Sequence, residues 1–186
     1  MKIIGITGKS GSGKTTIASA IAKKINGIHL DIDKIGHEAL LQENVIKKLW
    51  NKFGTEILNL DGQVDRKKLG NIVFDQKDKM KQLEEITWNY MKESIDNILS
   101  MNKEYVVLDW ALLPQTIYWN QCDLKILIES DYDKRKDKVI ERDNISEEYF
   151  NKRDSASVDY SEFEFDYILK NDYSIQTLKK ILENLF

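Results

Sequence analysis

Cysteine is almost missing from this chain: Cys122 is the single one in 186 residues. That excludes an internal disulfide, a CxxC redox pair and a cysteine-based zinc cluster, and leaves Cys122 an expected packing role. Proline is equally scarce, with Pro114 alone, and no low-complexity run or internal repeat marks a linker. One domain spanning 1–186 is therefore expected. Long apolar runs are absent too. Nothing approaches the roughly 18 residues that cross a bilayer, and Ile3–Ile6 is too short for a signal-peptide core. A cytoplasmic protein with no membrane partner is the expectation. Basic excess is lacking as well: 28 Lys and Arg face 31 Asp and Glu, a net charge of −3, which argues against a broad nucleic-acid surface. An anionic ligand must then be met by a local cluster. The two histidines, His29 and His37, have no cysteine partner and are expected to be structural or exposed.

What is present alternates strand and helix patterns. Lys2–Thr7 has the pattern of a buried strand, and Ile17, Ile21 and Ile25 with Ala18 and Ala22 recur at helical spacing. An extended run at Ile28–Leu30 ends in Asp31 and Asp33, and helical patterns follow through Leu40 and through Ile46, Leu49 and Phe53. A long stripe predicts a helix from about Asp78 to Met101. Tyr105–Asp109 and Leu124–Ile128 are short continuous apolar runs, as in parallel strands covered on both faces. One charged helical stretch from Tyr132 to about Ser157, a strand at Tyr167–Leu169 and a closing helix from Ile175 complete the order. Such alternation predicts a doubly wound α/β fold.

The most informative stretch is Gly8-Lys9-Ser10-Gly11-Ser12-Gly13-Lys14-Thr15, between the first strand and the first helix. It fits the phosphate-loop pattern G-x-x-x-x-G-K followed by Ser or Thr, in which successive N–H groups converge on phosphate oxygens. The helix behind it points its positive end at the same place. Lys14 is expected to reach the β and γ phosphates, and the Thr15 hydroxyl to hold Mg²⁺. A nucleoside triphosphate is the implied ligand.

That class includes GTPases, ATPases, motors and small-molecule kinases. The one N-K-x-D string, Asn151-Lys152-Arg153-Asp154, lies inside the charged helical stretch from Tyr132 to about Ser157 rather than after a strand, so it is not a guanine-reading signature, and motors are usually longer. A small kinase needs a group that orients and deprotonates an acceptor hydroxyl, and cations for the transferred phosphoryl. Asp31 and Asp33, at the end of the second strand, supply the first. An EF-hand reading fails, because Ile35 and Gln42 stand where oxygen ligands and a carboxylate are required. The alternative for Asp33 is a helix cap. Arg135, Lys138, Arg142 and Arg153 supply the cations. The first three are spaced to share one helical face, with Arg142 the favoured phosphate-closing residue. Asp109, ending a hydrophobic strand, is a further candidate for Mg²⁺ through water.

These residues together resemble the dephospho-CoA kinase family, P-loop enzymes that phosphorylate the ribose 3′-hydroxyl of dephospho-CoA with ATP. The likeness covers nearly the whole chain in order. Beyond the phosphate loop, Gly8–Thr16, and the D-x-D at Asp31 and Asp33, it includes Phe53-Gly54, Asp61-Gly62, Asp65-Arg66, Leu69 and Phe74. It continues through Leu83-Glu84-Glu85-Ile86, the strand and turn at Tyr105–Leu113, the lid's Arg142-Asp143 with Arg153, and Ile168–Asn171. The resemblance implies a central five-stranded parallel sheet flanked by helices, with core segments about 1–33, 104–130 and 160–186. It also implies a helical acceptor-binding region at about 34–103 and a helical lid at about 131–159.

Catalysis would fall to Asp33 as base, Lys14 and Arg142. ATP would be bound by Gly8, Ser10, Gly11, Ser12, Gly13, Lys14, Thr15, Thr16, Arg142 and Asn171, and the acceptor by Asp31, Asp33, Arg66 and Leu112. The implied partners are ATP and dephospho-CoA, with a monomer or weak homo-oligomer. Departures from the family pattern are Trp88-Asn89 for a His-Pro, Ala111–Gln115 for P-L-L-F-E, Lys138 for the first lid arginine and Ser157 for a glutamine. They touch the acceptor side and the lid. A kinase for another small acceptor, or an ATP-binding regulator without transfer activity, are the competing readings.

Overall fold

The computed structural model describes residues 1–74, 76–101 and 103–185, with residues 184 and 185 as backbone only. The chain divides into two compact units, Met1–Asp31 with Asn102–Phe186, and Ile32–Met101. Five strands of the first unit form one sheet: β1 (Lys2–Thr7), β2 (Ile28–Asp31), β3 (Tyr105–Asp109), β4 (Leu124–Glu129) and β5 (Tyr167–Lys170). Their order is β2-β3-β1-β4-β5, and every pairing is parallel. β1 is thus central, which explains why Ile3–Thr7 is buried without alternation. β5 is an edge strand with Tyr167 and Ile168 exposed.

Helices α1 (Lys14–Lys24), α6 (Tyr132–Asp143), α7 (Glu147–Ser155) and α8 (Ile175–Leu185) belong to this unit, and α2 (Ile32–Ala39), α3 (Glu43–Phe53), α4 (Arg66–Val73) and α5 (Lys77–Ser100) to the other. Ile4 and Ile6 of β1 meet Ile17, Ala18, Ile21 and Ala22 of α1, with Val107, Ile126, Ile128 and Ile181 closing the cluster. Each fully buried isoleucine contributes roughly 1.5–3 kcal/mol through area removed from water. No helix among the described residues is long and apolar enough to cross a membrane.

On the opposite face of β1 the space is taken by neighbours rather than by a side chain of its own. A Cβ on Gly5 would lie 2.7 Å from Cys122 Sγ, 3.1 Å from Trp119 Cζ3 and 3.2 Å from Leu113 Cδ2. Burial pushes the Cys122 thiol up to about 12, as suits a group that packs and does not react. Gly5→Ala is accordingly expected to destabilise the fold by about 1–3 kcal/mol through overpacking. Thermal unfolding measures this, and Cys122→Ala in the same chain should restore part of the loss; an unchanged melting temperature would contradict the packing described.

The second unit has its own core of Val45, Leu49, Phe53, Ile57, Leu69 and Val73. Two elements differ from the sequence reading. The segment between Phe53 and Asp78 contains a helix that periodicity alone did not predict, α4, started by Asp65, whose carboxylate accepts from Lys67 N and Lys68 N. Asp61-Gly62 before it is a tight turn, with Asn59 Oδ1 accepting from Asp61 N and Gln63 N and Gly62 at φ 75°. The single charged stretch Tyr132–Ser157 is two helices. Asn144 ends α6 at φ 49°, and Ser146 Oγ accepts from Tyr149 N to start α7.

Candidate active site

The phosphate loop fills the connection from β1 to α1. Gly11 and Gly13 have φ of 80° and 85°, a region L side chains enter at a cost, and a Cβ on Gly13 would fall 2.2 Å from Asn171 Nδ2. Torsion and space together require glycine there. α1 begins at Lys14 with Gly13 as its N-cap, no side-chain cap bond and no acidic residue in its first turn. Its first N–H groups and the positive end of its dipole therefore face an anion site with no carboxylate of the helix competing. Lys14 is 8% exposed, whereas Thr15 and Thr16 are exposed. Ser12 Oγ is buried and, among the described residues, has no hydrogen-bond partner.

The loop carbonyls from Lys9 to Gly13 are all engaged. Ser12 N donates to Lys9 O at 3.1 Å and Ile17 N to Gly13 O at 3.1 Å. Between them Ser10 O accepts from Arg135 Nη1 at 3.1 Å, Gly11 O from the Tyr173 hydroxyl at 2.6 Å, and Ser12 O from Asn171 Nδ2 at 2.8 Å. A cavity of about 1160 Å³ opens beside the loop, lined in part by Lys9, Ser12, Arg135, Asp154, Ser157 and Asn171. That is ample for a nucleotide.

The helical cations share a face by spacing but not by partner. Arg135 is 5% exposed and grips Asp154 with both terminal nitrogens, at 2.7 and 3.3 Å. Burial alone would raise the Asp154 carboxyl, but the bond and charge of Arg135, with Lys9 at 3.5 Å, hold it below the usual range. Lys138 Nζ lies 4.3 Å from the centroid of the Tyr173 ring. Arg142, with its side chain 58% exposed, is bidentate to Asp143 at 2.7 and 2.9 Å, and Arg153 reaches the same carboxylate at 2.9 Å. The Arg142 hydrogen bond, opposed by partial burial and joined by Arg153, holds Asp143 below its ordinary value. Arg135, not Arg142, is the arginine against the loop in this structure.

At the C-terminal edge of the sheet, register places Asp31 beside Asp109, and Asp109 beside Ile6. Open parallel sheets bind ligands along this edge. Asp109 is 1% exposed; its Oδ2 is 3.2 Å from His29 Nε2, and its Oδ1 has no partner among the described residues. An orphaned buried carboxylate oxygen near the strand ends and an exposed Thr15 hydroxyl fit a hard cation, while no group of three or more His, Cys, Asp or Glu among the described residues could cage one. That donor set suits an ion carried largely by its nucleotide and water.

The remaining candidates are placed as follows. Asp31 is the last residue of β2, and Asp33 is the exposed second residue of α2, which follows the strand without a loop. Asp33 is therefore inside the first helical turn rather than at its cap. Arg66 opens α4 and is exposed; Leu112 is half-buried after β3; His37 is exposed on α2. Asp154 and Tyr173 carried no signal in the sequence. Only their contacts, 19 and 162 positions from their partners Arg135 and Gly11, reveal them.

Comparison with known proteins bears on this site. The family model described as dephospho-CoA kinase matches residues 2–177. A dephospho-CoA kinase of Aquifex aeolicus is 32% identical over 194 residues, covering 100% of this chain and 98% of that protein. A crystal structure from Thermus thermophilus superimposes with a TM-score of 0.81 at 26% identity, covering 99% of this chain and 95% of the other. A dephospho-CoA kinase from Campylobacter jejuni does so with a TM-score of 0.59 at 25% identity, covering 99% and 97%.

Proposed function

The chain belongs to the dephospho-CoA kinase family, and from that premise we propose that it transfers the γ-phosphoryl of ATP to the ribose 3′-hydroxyl of dephospho-CoA, giving coenzyme A and ADP. The observation that carries this reading is the phosphate loop, with all its carbonyls from Lys9 to Gly13 engaged and the uncapped N-terminus of α1 behind it.

Lys14 neutralises charge on the transferred group, and the loop and helix N–H groups hold its oxygens. Asp33 orients the acceptor hydroxyl and takes its proton. Thr15, with Asp109 through water, would hold Mg²⁺, which would supply charge neutralisation between the β and γ phosphates. By resemblance to the family, Arg66 and Leu112 would contact the acceptor. Arg142 would exchange Asp143 for a phosphate oxygen when nucleotide is bound; Arg153 keeps Asp143 paired when it leaves. Closure over the reacting groups keeps water from competing with the acceptor.

ADP formation with Mg-ATP tests this reading, comparing dephospho-CoA with adenosine, AMP, pantetheine and no acceptor. Turnover that depends on dephospho-CoA alone is expected. Turnover with a different acceptor would reassign the protein to another small-molecule kinase, a change to which the departures at Trp88-Asn89 and Ala111–Gln115 would then be the first guide.

A further inference from the structure

Three successive carbonyls of the phosphate loop are each held by a side chain distant in sequence: Ser10 O by Arg135, Gly11 O by Tyr173 and Ser12 O by Asn171. In a trans peptide the N–H points opposite to the C=O, so tying a carbonyl outward commits the next residue's N–H to the inner side of the loop. Arg135 sets the Gly11 N–H in this way. Tyr173 sets the Ser12 N–H, which closes back on Lys9 O, and Asn171 sets the Gly13 N–H. With glycine at positions 11 and 13 these peptide planes would otherwise turn with little restriction.

The geometry points to Arg135, Asn171 and Tyr173 as a clamp that pre-organises the phosphate loop before nucleotide arrives, so that they act as positioning residues for ATP. The inference rests on the phosphate-loop reading above. Each member of the clamp is itself held. Arg135 is forked onto Asp154, and the Asn171 side chain accepts from Tyr173 N at 2.9 Å while its amide group donates to the loop. Tyr173 sits at φ 67°, a left-handed conformation that a bulky residue keeps only where its surroundings enforce it. Its ring is covered by Lys138, and burial raises the phenol above its usual range, which keeps the donor proton in place. Loops shaped in advance bind more tightly because less ordering remains to be done.

Tyr173→Phe and Arg135→Lys test the clamp. The first removes one oxygen and leaves the ring under Lys138; the second keeps the charge beside Asp154 and loses the fork that also reaches Ser10 O. Binding of inorganic tripolyphosphate by calorimetry, and KM and kcat for Mg-ATP, are the readouts, with thermal unfolding alongside. Each variant should bind tripolyphosphate about tenfold more weakly and raise the KM for ATP by a similar factor, with kcat within about twofold, since the lost bond serves bound substrate and transition state alike.

Unchanged affinity and KM in both variants would overturn the clamp, as would a fall in unfolding temperature with KM unmoved, the result of purely structural contacts. Should Arg135→Lys fail to fold, Tyr173→Phe decides alone. A wild-type protein that binds neither tripolyphosphate nor ATP would sink the kinase reading and the clamp with it. Wild-type binding with unaltered variants would sink the clamp only.

Discussion

Replacing Lys14 by methionine is expected to lower kcat by about a thousandfold or more, with ATP affinity reduced far less. In a loose phosphoryl-transfer transition state the protein has little covalent work to do, and rate comes from charge placed in advance around the moving group. Removing one such group costs about 10²–10³ in rate where the lost partner is a neutral donor. A full positive charge held in a site shielded from water, as Lys14 is at 8% exposure, should exceed that. Methionine keeps the length and apolar stem, so the first turn of α1 should survive. Single-turnover ADP formation at saturating ATP, beside ATP binding and thermal unfolding, measures the effect. A loss under tenfold with intact binding would remove Lys14 from the chemistry.

Asp33→Asn should cost about 10²–10⁴ in kcat while the KM for ATP moves little, because the variant keeps its size and its ability to accept a hydrogen bond but cannot take the acceptor's proton. Magnitude separates this role from the structural one. A carboxylate in the first turn of a helix such as α2 contributes about 0.3–1 kcal/mol through the dipole. Losing that would lower the melting temperature by a few degrees at most, with turnover at saturation nearly intact. Acceptor-dependent ADP formation and unfolding, measured on the same preparation, therefore give opposite patterns for the two roles, and a stable variant with wild-type kcat would return Asp33 to the helix terminus.

Much of the site was legible because its chemistry is local. The loop pattern needs only consecutive glycines, a lysine and a threonine, and Lys2–Thr7 before it and Ile17–Ala22 after it show their burial in period alone. The ends of β2 and β3, with Asp31 and Asp109, follow from apolar runs that stop at a carboxylate. Spacing was misleading on α6. Arg135, Lys138 and Arg142 do recur at three and four, yet one is buried on Asp154, one covers Tyr173 and one turns to Asp143. A helical period gives the direction in which a side chain leaves the helix but not what waits there. α4 escaped for a related reason: it is eight residues long, and its clearest signal is the Asp65 cap rather than a repeat.

From its sequence alone, then, this chain determines a phosphate loop between strand and helix, a parallel α/β core, and the resemblance that names its family, since each depends on residue type and near-neighbour order. Only the tertiary structure decided which side chains hold the loop. Arg135, Asn171 and Tyr173 stand 125, 159 and 162 positions from the carbonyls they bind. They meet them because β1 is central and β4 and β5 pair beyond it, bringing α6 and the end of β5 to the same edge of the sheet. Contacts of that range depend on strand order and register, which no local pattern of charge or hydrophobicity records.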